Sequence, residues 1–291
     1  MEEKRAIDGF GASALIGVAL ILAINQVVIK VTGGGFGPVF QASLRSVLGF
    51  LVLLIWMRAR HIPIALPKGV AIWGVGAGIL FSLEFICLYI ALDLTAVSRA
   101  SIIFYSMPVW LAIAGHFLLP GDRLNRIRVL GLALAMGGVT VALADRSGGQ
   151  ASLLGDLVAL IAALQWAAIA LFIRITPLSR VVPEMQLLMQ IAVSIPVLLG
   201  LSPLFGDLLR DPRPLHLAGL LFQSVFVISL GYLVWMRLIA IYRASSVASF
   251  SFLSPVFAVF LGWLVLGETI GPAIWAALIL VAAGVFLINR P

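Results

Sequence analysis

Few residues of this 291-residue sequence could do chemistry, and they stand far apart. Arg45 and Glu84 sit inside long apolar runs, where an ionised group is costly and therefore a functional candidate. A guanidinium there could anchor a carboxylate. A carboxyl could carry a proton or receive an amine. The bland alternative is that the two pair with each other or reach toward an interface. Uncharged amides at Asn25, Gln26, Gln41, Gln165, Gln186 and Gln190 could orient a zwitterion without burying a full charge. They could equally tie helices together. Gln165, beside Trp166 near the middle of its run, and Asn25 are the preferred contacts. Among the deep aromatics, Trp166, Tyr105, Trp235 and Tyr232 suit a cavity that grips an aromatic side chain, with packing or lipid contact as the plain alternative. Pro108 and Pro255 remove backbone donors inside apolar runs and should kink or break them.

No enzyme constellation accompanies these groups. His61, His116 and His216 lack ligand-like companions, so no metal site and no catalytic set is expected. There is no phosphate-loop lysine motif, and Gly74, Gly76 and Gly78 lie in an apolar run where close helix packing is the expected role. No cofactor is implied. Cys87 stands alone, so no disulfide framework exists.

The elements that must hold these residues follow from composition. The chain is 62% hydrophobic and 11% charged, against about half and a quarter in soluble domains. That excludes an ordinary cytosolic enzyme, a disordered chain and a nucleic-acid binder. Uncharged runs near 13–30, 39–57, 69–92, 96–119, 128–144, 154–175, 184–202, 215–237, 245–266 and 271–289 predict ten membrane-spanning helices. The first follows Lys4 and Arg5, but its core is longer than a signal sequence and reads as a retained helix. Continuous apolar runs of this length exclude a β-barrel. Of the 19 Lys and Arg, most fall at one set of span ends, while Arg99, Arg146, Arg210 and Arg213 fall at the other. That bias places both termini in the cytoplasm.

The two halves resemble each other at a nearly constant offset. Ser-Met-Pro-Val-Trp at 106–110 is echoed by Leu-Ser-Pro-Val-Phe at 253–257. Gln41 matches Gln186, Arg45 matches Gln190, Lys30 matches Arg174, and Gly138 matches Gly284. Repeats at 1–145 and 146–291 would each hold five spans, an odd number, so the second would enter the membrane from the opposite side. Inverted repeats of this kind build many secondary transporters, with the substrate site between them near the midplane. The expected fold is therefore an all-α integral membrane protein, ten helices as two inverted five-helix repeats around a central cavity.

With the Pro-Val-Trp and Pro-Val-Phe segments, the chain resembles the EamA-type branch of the drug/metabolite transporter superfamily. Gly267-Glu268 stands at that family's Gly-Glu position, with Pro120-Gly121-Asp122 as its altered first-half counterpart. Asn25 and Lys30 keep a family spacing in which Leu22 replaces a tryptophan, and Trp166 and Arg174 keep it in the second half. Within the family the chain is most similar to bacterial aromatic amino-acid exporters. The resemblance implies outward movement of Trp, Phe, Tyr and other neutral amino acids across a bacterial inner membrane. Another metabolite, or a lipophilic cation coupled through Glu84, is the second substrate reading. An integral-membrane enzyme or partner subunit is the reading outside this class. The expected partners are a small molecule and the lipid bilayer, with no nucleic acid, and nothing requires more than a monomer.

Overall fold

The computed structural model describes residues 8–67, 69–119, 124–146, 151–231, 234, 238, 241–242 and 250–289. These residues are helical, with one isolated backbone bridge between Phe36 and Leu209. The first half contains α1 (Gly9–Thr32), α2 (Pro38–Ala59), α3 (Ala71–Leu94), α4 (Val97–Phe104), α5 (Met107–Leu118) and α6 (Arg126–Ala144). The second contains α7 (Leu153–Ile175), α8 (Pro183–Leu201), α9 (Pro214–Leu221), which continues as a π-helical stretch over Phe222–Gly231, α10 (Leu253–Leu266) and α11 (Pro272–Ile288). Seven helical stretches, with α4 and α5 taken together, are long and apolar enough to cross a membrane. Three shorter apolar helices follow in the second half.

Local chemistry explains many boundaries. Proline opens α2, α8, α9 and α11, where its missing N–H breaks no helical bond. Side chains cap other starts: Asp8 accepts from Gly11 N at 2.7 Å, Asn125 from Arg128 N at 2.8 Å, and Ser152 from Gly155 N at 3.1 Å. The run at 96–119 is broken as Pro108 predicts. α4 stops at Phe104, Tyr105 and Ser106 form the joint, and Pro108 lies in the first turn of α5. Ser106 serves the local backbone, its hydroxyl donating to Ile103 O at 2.6 Å and accepting from Trp110 Nε1 at 3.1 Å. Pro255 sits in the first turn of α10, after a 3₁₀ turn at Phe250–Phe252.

The principal helix pairs are α6 on α11, α3 on α7 and α8, α2 on α8, α1 on α10, and α4 on α10 and α7. Both α1 and α2 also meet the π-helical stretch. Small residues set the closest crossings. A Cβ on Gly284 would lie 2.5 Å from Gly131 O, and one on Gly138 2.7 Å from Ala277 O. The glycines of α3 do pack helices: Gly74 meets Met189, Gly76 meets Phe172 and Gly78 meets Val193. Gly284→Leu is therefore expected to force α6 and α11 apart at a cost of about 1–3 kcal/mol. A lower melting temperature of the purified protein in detergent checks it, and an unchanged one would refute the crossing.

Candidate functional site

Polar groups gather along α1, α2 and α3. Gln223 is fully buried on the π-helical stretch and centres one network. Tyr89 Oη donates to its Oε1 at 2.7 Å, Gln41 Nε2 approaches the same oxygen at 3.5 Å, and its own Nε2 donates to Thr32 Oγ1 and Gly219 O. Gln41 Oε1 is left without a partner among the described residues, but the remaining bonds join α1, α2 and α3 to the second half. Gln186 likewise donates to Leu178 O and Val181 O, both at 2.8 Å, and Gln190 to Gln186 O. These amides therefore act as glue between and within elements.

Other groups are buried without partners. Asn25 Oδ1, Gln26 Oε1, Arg45 Nε and Ser101 Oγ make no hydrogen bond among the described residues. Arg45 is 6% exposed, and its guanidinium lies over the Phe85 ring at 4.4 Å, a cation–π contact. Glu84 is 5% exposed, directly precedes Phe85 and interacts electrostatically with Arg45. The two form no ion pair among the described residues. Such groups ordinarily find partners. A buried guanidinium and a buried carboxyl held close but apart could be completed by a molecule carrying both charges.

A second group forms at the joint in the broken helix. Trp166 stacks on Phe104 at 4.8 Å between ring centroids and meets Tyr105 edge-on at 6.0 Å. The Tyr105 hydroxyl faces Gln26 and Ser254. Of the expected contacts, Asn25, Arg45, Glu84 and Tyr105 are buried, and Gln165 and Trp166 half-buried. Gln165 makes no polar contact among the described residues, while Gln26 and Ser101, less prominent in the sequence, carry unpaired oxygens. Trp235 and Tyr232 lie outside the described residues.

The described ion pairs all lie at one end of the molecule, where α3 and α6 end and α4 and α7 begin. Asp156 is fully buried. It accepts from Arg99 Nη2 at 2.7 Å, Arg146 Nη1 at 2.9 Å and Thr95 Oγ1 at 3.0 Å. Arg99 also donates to Ala142 O at 2.5 Å, and the Arg146 guanidinium to Leu143 O. Asp93 holds Arg210 in a two-point pair at 2.6 and 2.8 Å, and this pair lifts the Arg210 guanidinium pKa further above its already high value. Lys30 donates to Asp93 O and Thr95 O, closing the carbonyls at the end of α3. A cleft of about 280 Å³ at this end is lined by Ser98, Arg99, Asp145 and Glu268. Beside it a groove of about 570 Å³ runs past Phe260, Trp263 and Trp275, half-exposed rings of the kind found at membrane interfaces.

The match to known proteins resolves the class. The model of the EamA-like transporter family fits the chain twice, over residues 9–144 and 153–290. The chain belongs to the EamA-like transporter family. As an EamA protein it is a multi-pass membrane protein, consistent with the wider drug/metabolite transporter superfamily. It is 30% identical to a Bacillus subtilis protein named uncharacterized transporter YvbV, covering 87% of this chain and 82% of that one. A Salmonella typhimurium protein named probable amino-acid metabolite efflux pump is 27% identical, covering 96% and 94%. A solved crystal structure matches in fold with a TM-score of 0.67 at 20% identity, over 95% of this chain and 96% of that one.

Proposed function

We propose that this protein is a secondary exporter of small zwitterionic metabolites, foremost aromatic and other neutral amino acids. Its frame is ten spans in two inverted halves, 1–145 and 146–291, in a bacterial inner membrane with both termini cytoplasmic. The helix pairing supports the inversion. Gly131 meets Gly284 and Gly138 meets Ala277, and exchanging the halves at the offset of 146 turns each contact into the other, as two-fold-related surfaces require. The pairs α6 with α11 and α2 with α8 are likewise self-reciprocal, and α3 with α7 exchanges with α1 against the π-helical stretch.

The observation that carries the substrate reading is the split charge pair. Arg45 and Glu84 are both buried, Arg45 Nε has no hydrogen bond, and the two form no ion pair within the described residues. A zwitterion offers a carboxylate to the first and an ammonium to the second. Tyr105 and Trp166 then supply faces and edges for an aromatic side chain, and Asn25, Gln26 and Gln165 supply orienting amides. The relatives named amino-acid metabolite efflux pumps, from Salmonella typhimurium and Escherichia coli, point the same way. Alternating access would rock the halves around this central site, with the joints at Pro108 and Pro255 absorbing the movement.

Proteoliposomes holding the full chain are expected to show saturable flux of labelled phenylalanine and tryptophan, competed by neutral amino acids. Running the panel with and without a pH gradient reads coupling in the same experiment. No saturable flux for any neutral amino acid would refute the substrate. Glu84→Gln separates the second reading, since transport of a lipophilic cation would collapse in that variant.

A further inference from the structure

Glu268 is 4% exposed, yet it has no cationic partner at hydrogen-bonding distance among the described residues. Its carboxylate reaches across from the α10–α11 turn to the start of α4. Oε1 accepts from Val97 N at 2.6 Å and Oε2 from Ser98 N at 2.9 Å. A carboxylate there also meets the positive end of the helix dipole. The turn is built for this reach. Gly267 takes φ +66°, a left-handed conformation that favours glycine. Gly262 leaves the space the carboxylate occupies, since a Cβ there would lie 2.6 Å from Glu268 Oε2.

The contact joins the two halves of the chain, and α4 is the element it holds. All eight α4 residues are buried, and the helix is about 12 Å long at 1.5 Å per residue. Its far end is Phe104 and the Tyr105 joint, packed on Trp166. Moving one end of so short a rod moves the other. The cleft of about 280 Å³ beside Ala96, Ser98 and Glu268 opens at this same end. Arg99–Asp156 and Arg210–Asp93 also bridge the halves here, but through paired charges. Glu268 alone among these bridges holds neutral backbone amides.

We propose that Glu268 is the positioning residue of an outer gate. It holds α4 against the second half in the closed state, and transport requires its carboxylate to leave the Val97 and Ser98 amides. The gate rests on the exporter reading for its purpose and on the basic-residue bias for its side, so the test separates all three.

In a Cys87→Ser background, Ala96→Cys places a thiol in the cleft. Glu268→Gln keeps the shape but replaces one acceptor with an amide donor, which cannot accept from a backbone N–H. Labelling of that thiol by a membrane-impermeant maleimide is expected to rise at least fivefold with Glu268→Gln, and to return toward the starting rate with Glu268→Asp. A control thiol at Ile64 should keep its rate. An unchanged rate at Ala96→Cys, or an equal rise at Ile64→Cys, would overturn the gate. Labelling in intact cells against inside-out vesicles reads the side independently, and accessibility needs no substrate. Should Glu268→Gln fail to fold, native Glu268 with Ala96→Cys and Thr269→Cys provides the second arm. A short bis-methanethiosulfonate cross-linker, which forms a reducible disulfide to each thiol with loss of methanesulfinate, is expected to stop flux until reduced, and full flux in the linked protein would overturn the proposal.

Discussion

Arg99→Ala is expected to lower stability by about 3–5 kcal/mol, the loss typical of removing one member of a buried pair. Arg99 is 3% exposed and Asp156 fully buried. The guanidinium ties α4 to α7 through Asp156 and to the end of α6 through Asp145 and Ala142 O. Removing it leaves Asp156 with Arg146 and Thr95 alone. The apparent melting temperature in detergent should drop on the order of 10 °C. Lysine should rescue little, because one ammonium cannot reach three acceptors in different directions. Replacing Arg99 and Asp156 together by leucine should cost less than the sum of the single changes, since neither of the two buried charges is then stranded, while Arg146 and Asp145, which lose a partner, are the more exposed members of the cluster. Additive losses would show that the pair does not act as a unit.

Arg45→Gln is expected to do the opposite, leaving the protein folded while flux of a zwitterionic substrate falls about 10- to 100-fold. The guanidinium holds up no ion pair among the described residues, so its removal strands no carboxylate that it was bonding. The loss to stability is the contact with Phe85, about 0.5–2 kcal/mol. The loss to transport is a charge-assisted anchor for the carboxylate. Thermal melting and initial flux rates on the same preparation separate the two effects. Undiminished flux with a large stability loss would make Arg45 a packing residue and remove the anchor from the site.

These two arginines also show what the sequence can and cannot reveal. Arg45 was legible because it interrupts an apolar run, and the structure buries it over Phe85 with Nε making no hydrogen bond among the described residues. Arg99 stands at a span end, where hydropathy expects a solvated charge. Its burial arises because the starts of α4 and α7 meet the end of α6, which no local pattern encodes. Glu268 is similar, since its partners Val97 and Ser98 are some 170 residues away. The helical frame was more open to reading: run lengths marked apolar helices, seven of them long enough to cross a membrane among the described residues, Pro108 marked the joint, and the glycines of α3 marked close crossings. Gln41, Gln186 and Gln223 show the limit at single polar residues. Each is an amide in an apolar run, and only the packed structure separates the bonded amides of Gln186 and Gln223 from the unpaired oxygens of Asn25, Gln26 and Gln41. Gln165, adjoining Trp166, has the better sequence position, yet it makes no polar contact among the described residues.

At the crossing of α6 and α11, backbone lies against backbone at Gly131 and Gly284. The glycines themselves have no rotamers to reset, and the side chains packed nearest them are those of Ala135 and Ile288, so the two helices can tilt about this point while contact is kept. The ion-paired end, by contrast, must break bonds to part. The crossing thus has the properties of a fulcrum, and the charged end those of a clasp. A substitution that thickens the fulcrum would alter how far the halves can swing even where the clasp is untouched.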